Sequence, residues 1–366
     1  MTTAFPLLRL PYLVLMPILE QMEFMERIVL SVLSKRARMF VKLLKMNCGY
    51  IILRIKYGTI EMKVLLDRYK ELKLEMYPSG HIEFRYEQDV FLCNTMGVPP
   101  MDYARCIMDV LHCDSIHMFR IAEISPCNIF PLLVNLPKID CVEVHSDLSA
   151  VSLVNSRLIK VLRIVLPVSS VVAIPDFFLN LKYHREILQG NFDELKVEND
   201  WKKNVPNRKI KFSLNDLRIT NAKTLELLYV SLNVKDLNLF FKLWMKKKCN
   251  ARLEYLSVRQ KGNYDKDLLL KGLNAVPVPI ERNRTFRILG KVQQLRLDEE
   301  TSAEFDITRA DGRTATIISN GDDTFHFYVW PESTNDTTNI EPNQSSVMRV
   351  FSWFSSFYNS CVDRFK

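Results

Sequence analysis

The chain has no cysteine pair spaced C-x-x-C and no histidine at zinc-finger spacing from a cysteine. It has no run of ~18 uninterrupted apolar residues, which excludes a membrane-spanning helix. A Walker loop, G-x-S-x-G, H-E-x-x-H and G-x-G-x-x-G are all missing. The common nucleotide, serine-hydrolase, zinc-protease and dinucleotide chemistries therefore find no anchor. No catalytic residue, metal ligand or cofactor is expected. His112 and His117 flank Cys113, but at no standard zinc spacing, and read as ordinary partly buried side chains. No basic residue precedes Phe5. Arg9 falls inside the apolar run 5–22, FPLLRLPYLVLMPILEQM, and Glu20, Glu23 and Glu26 close it off. A secretion signal needs the opposite arrangement, with basic charge first and a small-residue cleavage site last. The 8 cysteines accordingly read as reduced, mostly buried thiols in the cytosol or nucleus. The sequons at Asn335 and Asn343 then carry no weight, and no membrane partner is expected.

What is present is ordinary globular material. The 366 residues are 48% hydrophobic and 25% charged, enough for one or two cores. The net charge of +8 permits attraction to acidic partners without establishing it. At the amino end, YLVLMPILEQM after Leu10-Pro11 fits a short helix with proline at its first turn. Pro17 inside it removes a backbone hydrogen bond and should kink it. MERIVLSVL (25–33) fits a second helix, and SKRARMFVKLL (34–44) a third capped by Ser34. Three such helices cannot bury all their leucines alone. Either the rest of the chain covers them or another protein does.

The middle of the chain repeats. The pattern apolar-x-x-apolar-x-apolar ends at Leu74, Ile121, Val144, Ile164, Val197, Val230, Val258 and Leu297. From Phe119 onward its central positions stand 23, 20, 33, 33, 28 and 39 residues apart. Leucine-rich repeats share this core, with periods of ~20–29. The longer periods leave room for a helix between strands, and VKDLNLFFKLWMKKK (234–248) is one, with Leu237, Phe240, Phe241 and Trp244 on one face. Strand, helix and strand at this spacing imply parallel strands. The asparagine that usually follows such strands occurs at Asn233 alone, with Asp147 and Asp200 as substitutes. The residue between the last two apolar positions should point out of each strand. Lys73, Arg120, Arg163, Lys196 and Arg296 make that stripe mostly basic, with Glu143, Tyr229 and Ser257 completing it. Such a stripe is tolerable if it binds anions, so acidic or phosphorylated segments are the partners it suggests. Local compensation, with Glu71 near Lys73 and Glu194 near Lys196, is the alternative.

AEFDITRADGRTATIIS, NGDD and TFHFYVW (303–330) read as three antiparallel strands with tight turns at Asp311-Gly312 and Asn320-Gly321. Residues 331–346 are polar and read as a flexible linker. Residues 347–366 carry an amphipathic stripe, suited to packing on the body, a partner groove or a membrane surface. Trp201 beside Lys202, Lys203, Arg208, Lys209 and Lys211 reads as a basic loop rather than a nucleic-acid site.

Two stretches resemble known families. Phe5-Pro6-Leu7-Leu8-Arg9-Leu10-Pro11, Ile18-Leu19, Ile28-Val29-Leu30-Ser31 and Leu33-Ser34-Lys35-Arg36 resemble an F-box, in the form common in the large nematode F-box family. LNDLRITNAKTLELLYV, KDLNLFFKLWMK and RLEYLSV (214–258) resemble the type 2 F-box-associated domain, over roughly 185–258. The first resemblance implies docking on a Skp-family adaptor and through it a cullin. Leu10, Pro11, Leu15, Ile18, Leu19, Ile28, Leu30 and Leu33 would be the apolar contacts and Lys35 the rim. The second implies target binding. The expected organisation is α/β: an F-box at 5–46, then an irregular leucine-rich-repeat-like β/α solenoid with a carboxy-terminal antiparallel meander at 47–330, then linker and helix. A stand-alone interaction module, or an RNA-binding protein with steeply salt-dependent binding, are the rival readings.

Overall fold

A computed structural model describes residues 7–46, 48–66, 70–95, 97–123, 128–145, 152–176, 178, 184–198, 212–260, 265–278, 285–288, 291–294, 301–320 and 324–330. A 3-10 turn, Leu7–Arg9, leads into α1 (Tyr12–Gln21), α2 (Phe24–Leu33) and α3 (Lys35–Lys42). Pro11 stands just before α1, and its carbonyl accepts the Val14 and Leu15 N–H groups, each at 3.0 Å. The helix continues through Pro17, which faces solvent. Glu23 and Glu26 form a capping box on α2, with the Glu23 N–H donating to the Glu26 carboxylate at 2.9 Å. The Ser34 hydroxyl accepts the Ala37 N–H at 3.3 Å and starts α3 where expected. Ser34→Ala should cost about 1 kcal/mol. An unchanged denaturation midpoint would show that this cap contributes nothing.

Fifteen of the described strands form one sheet, in the order β12-β15-β16-β17-β11-β10-β9-β8-β7-β6-β1-β2-β3-β4-β5. β1 (Tyr50–Lys56), β2 (Thr59–Leu65), β3 (Glu71–Met76), β4 (His81–Tyr86) and β5 (Asp89–Asn94) are an antiparallel meander. Its first hairpin turns at Tyr57-Gly58, both at positive φ (47° and 86°), which glycine adopts freely. α4 (Pro100–Val110) then returns the chain so that β6 (Ser115–Ile121) lies parallel to β1. β7 (Lys138–Val144), β8 (Ser169–Pro175), β9 (Glu194–Glu198), β10 (Thr224–Leu228) and β11 (Tyr255–Arg259) add in parallel, one after another. Helices α5 (Ser152–Val165), α6 (His184–Leu188), α7 (Leu214–Ile219) and α8 (Val234–Met245) connect the last five. After α9 (Lys266–Leu270), β12 (Val276–Pro277) pairs with β15 (Thr301–Thr308); β16 (Thr314–Asn320) and β17 (Thr324–Val329) complete the antiparallel end, and β17 closes on β11. β13 (Thr285–Ile288) and β14 (Lys291–Gln294) form a separate hairpin, with β13 against β17.

One row of apolar side chains crosses the sheet: Leu53, Phe119, Val142, Val172, Leu195, Leu225, Leu256 and Phe327 are register neighbours, all buried. Leu237, Phe240, Phe241 and Trp244 of α8 are buried against this side, as their helical spacing predicts. Leu15, Leu19, Met25, Ile28 and Val41 belong to the same continuous core, so the amino-terminal helices are packed into the body.

Several expectations need correction. The Tyr69 copy of the repeat ends in β3, an antiparallel strand, so the β/α alternation does not begin at residue 47. The Ile159 copy is helical: Leu158, Val161, Leu162 and Val165 are buried on α5, a spacing of three and four that the looser pattern cannot tell from a strand. The strand of that unit is β8, which the pattern passed over. In β10 the aligned pair is Leu225 and Leu227, three residues before the pair the pattern chose. The Val292 copy enters β14, outside the main sheet. Asn233 is not a strand-ladder residue; it caps α8, accepting the Lys235 N–H at 2.9 Å. Asp147, Asp200, Trp201, the linker at 331–346 and the helix at 347–366 lie outside the described residues.

Candidate functional site

The first candidate surface is built by α1, α2 and α3. A helix turns 100° per residue, so residues two apart point to nearly opposite sides. With Leu15 and Leu19 fully buried, Leu13 is turned out and is 82% exposed. Tyr12 and Val14 flank it, also exposed, and the Tyr12 ring meets the partly buried Phe40 ring of α3 at 6.3 Å. Met39 and Leu43, one turn apart around α3, are exposed too, and Leu33 closes α2 at 62% exposure. Of the nine expected contacts, Pro11, Leu33 and Lys35 are exposed; Leu10, Ile18 and Leu30 are half-buried. Leu15, Leu19 and Ile28 are sealed inside and cannot touch a partner without unfolding. The reading from the sequence chose apolar residues without assigning them to the two sides of each helix, and so missed Tyr12, Leu13, Val14, Met39 and Leu43. Charged contacts fix the bundle. Arg27 donates to the Met22 and Glu20 carbonyls at 2.8 and 2.6 Å at the carboxy end of α1, where a cation is favoured. Lys42 reaches Asp109 of α4 at 2.5 Å.

The second candidate is the sheet face opposite the helices. The outward row passes Glu83, Glu75 and Glu61 on β4, β3 and β2, then Arg54, Arg120 and Glu143 on β1, β6 and β7. It continues through Ala173, Lys196, Glu226, Ser257 and His326. The mostly basic stripe read from the sequence does not form as one row, because β8 contributes Ala173 in place of Arg163 and β10 contributes Glu226 in place of Tyr229. Arg120 pairs with Glu143 at 2.9 Å and Lys196 with Glu198 at 3.4 Å. Lys73 sits in the neighbouring row, 2.6 Å from Glu71. Tyr229 follows β10 at a φ of 58°. Arg163 is on α5, forked onto Glu186 at 2.9–3.2 Å beside a cleft of about 420 Å³ between α5 and α6. Arg296 lies outside the described residues.

Toward β17 this face becomes aromatic and acidic. Tyr255 and Tyr328 rings lie 5.0 Å apart, and the Tyr255 hydroxyl shares a 2.8 Å hydrogen bond with His326 Nδ1. Trp330 packs on Tyr255, Ile318 and Tyr328 and donates to Thr316 at 2.7 Å. Burial, with the Glu226 charge beside it and Lys196 opposing, pushes the Glu194 carboxyl up to about 8. Burial also raises Glu226 against Lys196. Burial works against the Lys196 ammonium, but Glu198, Glu226 and Glu194 outweigh it and leave its pKa raised. Burial, then the Arg259 charge, pushes His326 down from 6.5 to about 4. The unfolded chain therefore takes up this proton at higher pH than the folded one. The stability this contributes is present above pH 6.5 and is lost as pH falls toward 4, on the order of 3 kcal/mol. His326→Gln should remove it. Urea titrations at pH 7 and 4.5 should show the wild type losing ground to the variant in acid, and a gap independent of pH would contradict the buried neutral imidazole.

The remaining titratable candidates have structural partners. His117 Nδ1 accepts the Ile51 N–H at 3.1 Å, and His112 lies 2.9 Å from the Lys42 carbonyl. The six described cysteines are free thiols. Among the described residues no group of three or more His, Cys, Asp or Glu could hold a metal ion, and no helix is long and apolar enough to cross a membrane.

Comparison with known families places these surfaces. The F-box domain model matches residues 7–48, which hold α1, α2 and α3. The F-box associated model matches residues 183–258, which span α6 to β11. The chain thus carries an F-box domain followed by an F-box associated domain of type 2. F-box domains dock Skp adaptors in cullin-based ligases, and proteins that carry them are generally non-catalytic adaptors. No curated protein and no solved structure matches the chain.

Proposed function

We propose that this protein is the substrate-recruiting subunit of a Skp–cullin–F-box ubiquitin ligase, working in the cytosol or nucleus. The observation that carries the proposal is the apolar surface left open within the F-box match, where Tyr12, Leu13, Val14, Met39 and Leu43 are exposed beside a fully packed core. Burying one such leucine against a partner is worth about 1.5–3 kcal/mol, and leaving several in water is costly without a partner. The open face of the sheet, part of it within the F-box associated match, would hold the target. The parallel strands β6 to β11 with their helices support a leucine-rich-repeat-like arrangement for that body. The chain itself transfers nothing; ubiquitin transfer falls to the RING subunit and its conjugating enzyme.

The sealing of Leu15, Leu19 and Ile28 into the common core favours a second reading, in which the helices only cap a stand-alone interaction module. Affinity purification of the full chain under proteasome inhibition separates the two. Stoichiometric adaptor and cullin in the eluate support the ligase subunit, and their absence supports the cap.

A further inference from the structure

We infer that β5 is a self-association edge, through which two copies of this chain join their sheets into one across a two-fold axis at Phe91. The inference stands apart from the ligase reading. It starts from the two ends of the sheet, which are built differently. At one end β12 is two residues long and finishes in Pro277, which has no N–H to offer. At the other end β5 runs six residues, Asp89–Asn94, in unbroken register with β4. Sheet edges are usually blunted by lysine, proline, a bulge or short length. Val90, Phe91, Leu92, Cys93 and Asn94 carry none of these devices.

Three observations fit that edge to a second copy. First, its backbone groups point outward. The Thr95 N–H donates to the Gly80 carbonyl at 2.9 Å, and antiparallel strands bond to one neighbour at alternate residues. Cys93, Phe91 and Asp89 therefore bond to β4, whereas Val90, Leu92 and Asn94 turn their N–H and C=O groups away from it. Among the described residues no strand pairs with that side. Second, the side chains at the edge are apolar and open. Val90 is 59% exposed and Leu92 65%, both on the sheet face away from the helices. Phe91 alternates with them on the core side, half-buried, 6.0 Å from the Phe84 ring. Third, the edge is complementary to itself. With the axis at Phe91, Val90 of each copy faces Leu92 of the other, joined by their outward backbone groups, and the two Phe91 rings meet on the core side. Val90 has Arg85 beside it and Leu92 has Glu83. Each row across the junction then runs Arg85, Val90, Leu92, Glu83, with opposite charges at its ends. Moving the axis to Leu92 would set Val90 against Asn94, so the apolar side chains select the first register. An extended target segment could meet the backbone groups, but the side chains that match β5 are those of β5 itself. Pairing uses up this edge, and the short β12 offers no equivalent, so association closes at two copies.

The test is the number of chains per particle, read by light scattering after gel filtration of the full chain with any Skp-family adaptor it retains. Wild type should hold two chains as its concentration rises. Leu92→Lys, at an exposed position, should hold one, with an unchanged circular dichroism spectrum. Val276→Lys, at the opposite end of the sheet and 62% exposed, should stay paired. Combining Val90→Glu with Leu92→Lys sets opposite charges against each other across the axis and should restore two chains, which a misfolded variant could not do. One chain per wild-type particle at every concentration would overturn the inference; slow amide exchange at Val90 and Leu92 in that particle would give the edge to another segment instead. Pairing that survives Leu92→Lys, or that is lost equally in Val276→Lys, would overturn it too. A double variant that stays single would overturn the pairing of Val90 with Leu92.

Discussion

Leu13→Asp should abolish recovery of the Skp adaptor and leave the melting temperature within about 1 °C of wild type. Leu13 is 82% exposed and packs on nothing inside, so its replacement by a carboxylate costs the free protein little. In the complex the same change forfeits about 2 kcal/mol of apolar burial and adds the cost of taking a charge out of water. Together these exceed a hundredfold loss of affinity, at about 1.4 kcal/mol per tenfold. Leu19→Asp, two turns along the same apolar stretch, should behave differently. Leu19 is fully buried, and a charge there would unfold the helices and take the adaptor with them. Equal melting temperatures for the two variants would show that the helices are oriented otherwise than described.

Phe327→Ala should be the most destabilising single change in the carboxy-terminal half, at about 3–5 kcal/mol. Phe327 joins two parts of the body. It lies 4.8 Å from Phe241 and 5.1 Å from Trp244, edge to face, and pairs in register with Leu256. Phe325 adds a further ring 5.5 Å from Phe241, and Arg309 stacks over Trp244 at 5.2 Å. Without this ring the antiparallel end loses its main hold on α8, and the parallel strands regain an unpaired edge at β11. Chemical denaturation should register the loss as a lower midpoint. Phe327→Leu, which keeps most of the volume, should cost less than half as much.

Much of this was legible in the sequence where one residue type determines the outcome. Ser34 marks the start of α3, the spacing of Leu237, Phe240, Phe241 and Trp244 gives the buried side of α8, and Asp311-Gly312 turns the chain with Gly312 at a φ of 87°. The antiparallel strands β15 to β17 follow from alternation, with Phe325, Phe327 and Val329 inside. Legibility failed where a pattern fits two structures equally. The triplet at Ile159 matches the strand motif and a helix alike, and Leu162 and Val165 are buried on α5. The outward residue of β10 depends on register, which a shift of one position reverses, so Glu226 and not Tyr229 joins the row. The docking edge failed for a related reason. An apolar residue on a short helix reads the same whether it is sealed, like Leu15, or open, like Leu13, until the neighbouring layer is known. The acidic and aromatic end of the sheet face needs three strand registers at once, and no single stretch of sequence holds them.

Hydroxyl-radical footprinting of the full chain, free and bound to a Skp-family adaptor, tests the central claim most directly. Tyr12, Leu13 and Met39 should be oxidised readily in the free protein and protected in the complex, while Leu15 and Leu19 stay unreactive in both. Unchanged oxidation of Leu13 and Met39 in a complex that does form, or ready oxidation of Leu15 and Leu19 in the free chain, would contradict an F-box whose core is closed and whose outer apolar edge awaits the adaptor.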